Sequence, residues 1–210
     1  MRYVILDDDG RNIGGSIQRE WNTLQDYREA NRAPYYAGKI RVFLMFLESE
    51  LMDDITRFAA AQGQAAQRQA REENKPVASF VSFQEIGEED WKPLVKRTMA
   101  SAVSECESIM HFLAKHRTTG DRSMDDGAEQ QIEYAIELRV PDTFSDTSVM
   151  NILRTVHDYI VARVLFEWAN LTCPSFAEFW QAKIQADEAT LAKENHRASV
   201  SGEARIVPTW

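Results

Sequence analysis

The chain is predicted to be mainly α in the α+β sense, a helical bundle of about five helices with a small β-sheet. Three observations carry this reading. Apolar side chains recur in steps of three and four along five stretches, which stacks them on one face of a helix. One stretch, Ile132 to Val140, alternates apolar and polar residues with the period of a strand. The 210 residues are 44% hydrophobic and include ten Phe, six Tyr and five Trp, enough large side chains to build a core and too many for a disordered chain.

Arg2 to Leu6 reads as a short strand, ended by the turn formers of DDDG. A helical pattern opens near Ser16 with Ile17, Trp21 and Leu24 and stops at NRAP, because Pro34 disfavours helix at Ala33. Pro34 suits the first turn of a second helix, expected from Pro34 to about Ala61 on the spacing of Tyr36, Ile40, Phe43, Leu47, Leu51, Ile55 and Phe58. Val42, Leu44, Met45 and Phe46 widen that surface, so this helix should be covered on more than one side or lie at a subunit interface.

Ala60 to Lys75 is rich in Ala and Gln and lacks an apolar stripe. It extends the helix or acts as a linker near 62–76. PVASFVSF, from Pro76 to Phe83, looks extended. A third helix starts after Gly87, with Glu88, Glu89 and Asp90 complementing its dipole and Val95, Met99, Ala102, Cys106, Ile109 and Leu113 as its stripe.

Arg117 to Gln131 is expected to be a mobile polar loop, and Ile132 to Val140 a strand with one covered face. The SDTS stretch at Ser145 to Ser148 offers N-caps for a helix through VHDYIVARVLFEWANLT. Next, Pro174 at a first helical position and a Ser175–Glu178 capping box predict a tight helical hairpin. Its second arm uses Phe176, Phe179, Trp180, Ile184 and Leu191 and fades near His196. The arm 198–210 holds a short extended candidate, Ala204 to Val207. Ile206, Val207 and Trp210 are costly to leave in water and are the predicted interaction residues, docking within the chain, docking on a partner or staying free. The whole, 1–210, is read as a single domain. An extended segment before a long helix occurs at Ser79 to His116 and again at Ile132 to Thr172, a loose internal echo with too little identity to be a duplication.

A net charge of −9 disfavours the phosphate backbone, so no direct recognition of nucleic-acid bases is expected. Cys106 and Cys173 read as reduced core thiols. MRYVILDDDG is not a signal peptide, and RVFLMFLESELMDDI meets Glu48 and Glu50 long before the roughly 20 apolar residues a membrane span needs. A soluble protein, cytoplasmic or virion-associated, with no membrane partner is therefore expected.

Chemistry is sparse. DDDGRNIGG fails as a calcium loop: with Gly10 at the glycine position, Ile5 stands for the first acidic ligand and Ser16 for the closing Glu. It reads instead as a turn between strand and helix. Gly14–Gly15 offers backbone amides at a helix start, without a P-loop lysine or the dinucleotide spacing. Neither GxSxG nor HExxH is present. Asp53–Asp54 reads as a solvated edge and Arg163–Glu167 as an i, i+4 pair. His157 falls within the apolar face of its helix and reads as a core or edge histidine bonded to a neighbour. Glu107 and His111, four apart, form one two-ligand pair without a second copy, so no metal, cofactor or catalytic residue is assigned.

IEYAIELRVPDTFSDTSVMNILRTVHDYIVARVLFEWANLT, with PSFAEFWQAKIQADEATLAKENHRA and ARIVPTW after it, resembles the C-terminal part of prophage-encoded proteins. In those, a strand ending near a proline leads into an apolar helix with a His-x-Tyr pair, here His157 and Tyr159, then a helical hairpin and a short final strand. The resemblance covers roughly the last third of the chain. It implies a structural or assembly protein of a phage-like or mobile element, of the head–tail connector kind that works as a ring, whose partners are itself or other structural proteins. The alternative is a helical-bundle enzyme using a metal at Glu107, His111 and His157, or a small-ligand-binding bundle.

Overall fold

The computed structural model describes residues 2–6, 12–15, 39–73, 76–111, 114–120, 133–141 and 145–203. The protein is mainly α, a helical bundle carrying an antiparallel sheet. The described strands are β1 (Arg2–Leu6), β2 (Asn12–Gly15), β3 (Lys39–Leu47), β4 (Ala114–Gly120) and β5 (Glu133–Pro141). The described helices are α1 (Glu48–Glu72), α2 (Ala78–Gln84), α3 (Lys92–Ile109), α4 (Asp146–Thr172) and α5 (Ala177–Glu203). Single 3₁₀ turns at Glu85–Gly87, Glu89–Trp91 and Pro174–Phe176 join α2 to α3 and α4 to α5.

The sheet runs β2-β1-β3-β5-β4, antiparallel throughout. The β3–β5 ladder at its centre pairs Val42 with Leu138, Leu44 with Ile136 and Phe46 with Tyr134. Side chains at alternate positions share a face, and all six of these are buried in the main core with the helices. On the opposite face Phe43 pairs with Glu137 and Met45 with Ala135; Phe43, Met45 and Glu137 are buried as well. Glu137 accepts a hydrogen bond from Arg139 Nε at 3.4 Å, two residues along the same face.

Several expectations are corrected here. Lys39–Leu47 is strand, not the first half of a helix from Pro34. Seven apolar residues in its nine leave neither periodicity visible, and a strand buried on both faces gives that pattern. The helix begins at Glu48, whose carboxylate meets Lys96 Nζ at 2.9 Å, where the first-turn dipole also favours a negative charge. Gly14 and Gly15 lie in β2, paired with Ile5 and Val4, so they do not open a helix. The start of the predicted loop 117–131 is strand: β4 runs to Gly120 beside β5. The other strand expectations, β1 and β5, hold within a residue. The helix expected from Ser16, the rest of the 117–131 loop and the tail residues Ile206, Val207 and Trp210 lie outside the described residues.

PVASFVSF forms α2 and not a strand. Phe80, Phe83 and Ile86 recur every third residue, so one side of the turn region is apolar, and Phe83 and Ile86 are fully buried. Phe176 packs on Phe80 at 5.6 Å and edge-on against Phe83 at 4.8 Å. The region 62–76 is no linker up to Glu72, since α1 runs through it. Its buried stripe is made of small residues, Ala59, Gly63 and Ala70, which an apolar pattern does not register. The small stripe lets α2 come close: a Cβ on Gly63 would stand 2.7 Å from the Gln84 side chain and 2.9 Å from the Phe80 carbonyl oxygen.

Around α4 the bundle closes. Val149, Ile152, Val156, Ile160, Val161, Val164, Leu165 and Trp168 are buried and occupy more than half of its circumference, while Asn151, Arg154 and Asp158 form an exposed strip. A helix with so wide an apolar surface is covered by more than one neighbour. Ser145 caps it, its Oγ accepting from the Ser148 amide at 3.2 Å. Trp168 donates its indole N–H to the Phe83 carbonyl at 2.8 Å, so the one polar atom of that ring is matched inside. The expected capping box of Ser175 is not formed: its Oγ sits 3.2 Å from Cys173 Sγ. The second arm, α5, reaches Glu203 rather than fading near His196.

Gly63→Ala tests the close approach of α1 and α2. Helix propensity alone favours Ala by about 1 kcal/mol. The contact with the Phe80 backbone opposes it with an overpacking cost of about 1–3 kcal/mol. Urea unfolding is expected to show a lower midpoint for the variant at unchanged slope.

Candidate functional site

Two polar clusters and one apolar groove meet along α4. The first cluster joins α1, α4 and α5. His157, 5% exposed, places Nε2 3.2 Å from Asp54 Oδ2 on α1 and Nδ1 3.6 Å from Asp158 Oδ1. The Nδ1 separation is too long for a hydrogen bond, and that buried atom has no hydrogen-bond partner. Asp158 Oδ2 is 3.3 Å from Lys183 Nζ on α5, which also holds Asp187 at 2.8 and 3.0 Å. His157 is thus a buried histidine against a carboxylate, as its position in the apolar face predicts. Asp54 is more than a solvated edge, since it is the far end of this chain of contacts.

The environment splits the two aspartates of the cluster. His157, with Lys183 behind it, holds Asp158 below its ordinary 3.8 against the pull of desolvation. Burial pushes Asp187 above the same value, ahead of the opposing bond from Lys183. Burial alone lowers Lys183, but its bonds to Asp187 and Asp158 outweigh this and raise it.

The second cluster ties α3, α4 and α5. Tyr159 donates its hydroxyl to Glu105 Oε2 at 2.8 Å and reaches Glu188 Oε1 at 3.3 Å. Arg163 donates from Nε to Glu105 at 3.0 Å and from a terminal nitrogen to Glu167 at 2.6 Å, the i, i+4 pair read from the sequence. Burial first, and then the Glu105 carboxylate, push the Tyr159 phenol well above its ordinary value. Burial and the carboxylates of Glu105, Asp187, Glu107 and Glu188 do the same to Cys106. A phenol and a thiol both held protonated are poor nucleophiles. Cys106 and Cys173 are free and buried, as expected of core thiols.

Between α1 and α5, over α4, lies a groove of about 410 Å³ lined by Phe58, Ala61, Gln62, Asp158, Val161, Phe179, Trp180 and Lys183. Phe58 and Phe179 are 50% and 60% exposed. Both rings stand edge-on to Trp180, at centroid distances of 6.2 and 4.9 Å. The Trp180 N–H is donated to Gln62 Oε1 at 2.9 Å, which fixes the indole and leaves the ring cluster apolar. The sequence contains a hint of this. Adjacent residues Phe179 and Trp180 point about 100° apart on a helix, so one aromatic of the pair has to leave the core stripe. Leu171, Val81 and Trp91 are exposed singly, which is ordinary for a protein surface.

The residues of the alternative metal reading are not brought together. Glu107 is in α3, His111 is exposed in the turn after it, and His157 faces Asp54. Among the described residues no group of three or more His, Cys, Asp or Glu side chains is placed to hold a metal ion. Nor, among the described residues, is any helix long and apolar enough to cross a membrane. Comparison with protein-family models, with curated proteins and with solved structures gave no match.

The first cluster has a pH signature. An aspartate whose folded value is depressed stabilises fully above the unfolded value, here 3.8, and loses that contribution as pH falls through the folded value. The stability difference between wild type and Asp158→Asn is therefore expected to hold steady above pH 3.8 and to shrink below it. Chemical unfolding of both proteins at a series of pH values checks this, and a difference that grows in acid contradicts it.

Proposed function

We propose that this protein is an assembly protein that works by binding a second copy of itself or other structural proteins. The observation that carries the proposal is the aromatic groove. Phe58 and Phe179 stay half exposed beside a buried Trp180. Exposed aromatics clustered around a hydrophobic floor are the composition of an interface centre. The two polar clusters fit the same reading: they join helices through ion pairs and hydrogen bonds and hold their tyrosine and cysteine protonated. The resemblance of the last third of the chain to prophage-encoded proteins adds that the assembly is of phage-like or mobile-element origin, a connector-like ring being one form of it.

Mass measurement by light scattering over a range of protein concentrations tests the reading. Wild type is expected to form oligomers, and the double variant Phe58→Ser, Phe179→Ser to shift to monomer with an unchanged circular dichroism spectrum. A wild type that stays monomeric at high concentration and captures no structural protein of the same element overturns the reading.

A further inference from the structure

We propose that the groove between α1 and α5 of one copy receives residues 204–210, ARIVPTW, of a second copy. The inference rests on the self-association reading and names the segment that carries it.

Geometry keeps Ile206 and Val207 out of their own chain's groove. The groove's aromatics, Phe179 and Trp180, sit in the first turn of α5, which runs without interruption to Glu203. At 1.5 Å per residue, Trp180 and Glu203 are roughly 35 Å apart along the axis. Trp210 follows Glu203 by seven residues, and seven residues fully stretched span about 25 Å. Ile206 and Val207 reach less than half the distance. Helical side chains also lean toward the N-terminus, which carries the Phe179 and Trp180 rings further away. Ile206 and Val207 of one chain therefore fall short of their own groove, so a segment seated along its whole length lies in the groove of another copy.

Chemistry matches the two parts. The groove offers Phe58, Ala61, Val161, Phe179 and Trp180 to apolar side chains. The segment supplies Ile206, Val207 and Trp210. At the polar rim Asp158, about half exposed, lies beside Lys183 and presents a carboxylate to the groove. Arg205, the one charged residue of the segment, brings a positive charge that suits it. Pro208 lacks an N–H and suits an extended strand lying in a groove without a sheet partner. Because each copy carries both parts, the contact is either exchanged reciprocally within a two-fold dimer or repeated head to tail into a ring or filament.

Cross-linking of the full-length chain tests this. Ala61→Cys and Thr209→Cys are made separately and as a double variant; the native thiols Cys106 and Cys173 are buried and do not compete. Mild oxidation of the mixed single variants is expected to give covalent heterodimers, and the double variant is expected to give copies linked to one another, a dimer or a ladder, without an internal link. Ile206→Ser with Trp210→Ser is expected to weaken self-association at least tenfold while the melting temperature of the bundle holds. An intrachain disulfide in the double variant overturns the inference. Oligomers that persist in the tail variant without an Ala61–Thr209 cross-link overturn it too, and leave the self-association reading in place. A wild type that is monomeric throughout overturns both.

Discussion

A helix whose apolar surface covers most of its circumference has to be enclosed by several neighbours, and α4 sets that demand for this molecule. Its burial recruits α1, α2, α3 and α5 as neighbours and turns one face of the β3–β5 ladder toward the same core. Most of the buried polar groups on α4 then find a partner on the helix that faces them, since an unmatched buried group costs about 1–3 kcal/mol; His157 Nδ1 is the exception. Tyr159 and Arg163 meet Glu105 of α3, His157 meets Asp54 of α1, Asp158 meets Lys183 of α5, and Trp168 meets the backbone of α2. The polar side chains of the most apolar stretch are the means by which four surrounding helices are held in one orientation.

How much of this the sequence discloses depends on which side chains do the packing. The β5 alternation and the α4 pattern are readable because large apolar residues recur at the period of the element. The strand β3 is not, because a run covered on both faces loses its alternation and looks like any apolar segment. The Ala–Gly stripe of α1 is invisible for the opposite reason: what packs there is the absence of a side chain. The phenylalanines of α2 could be read either way, and tertiary contact with Phe176 decided for helix.

The candidate site was only half readable. His157 could be assigned to an apolar face, and Arg163–Glu167 to a helical pair, from spacing alone. The partners Asp54, Glu105 and Lys183 lie on other helices, far along the chain, so no local pattern announces them. The groove was hidden more deeply, because Phe58 and Trp180 fit core stripes equally well. Their surroundings become known only when α1 and α5 are laid over α4 with a gap between them.

The order of the strands has a consequence for how the chain comes into being. The central ladder joins Ile40 to Val140, with α1, α2 and α3 inserted between the paired strands. Contacts this distant in the chain are slow to form, since a long loop must close before they give any return. During synthesis from the N-terminus, KIRVFLMFL emerges long before β5 exists, with one edge of β3 lacking its partner. Rich in β-branched and aromatic residues, it is the stretch of this chain most exposed to pairing with the wrong neighbour. A chaperone that shields this segment until β5 has been made should therefore raise the yield of native protein, and a pause in translation between the two strands should lower it.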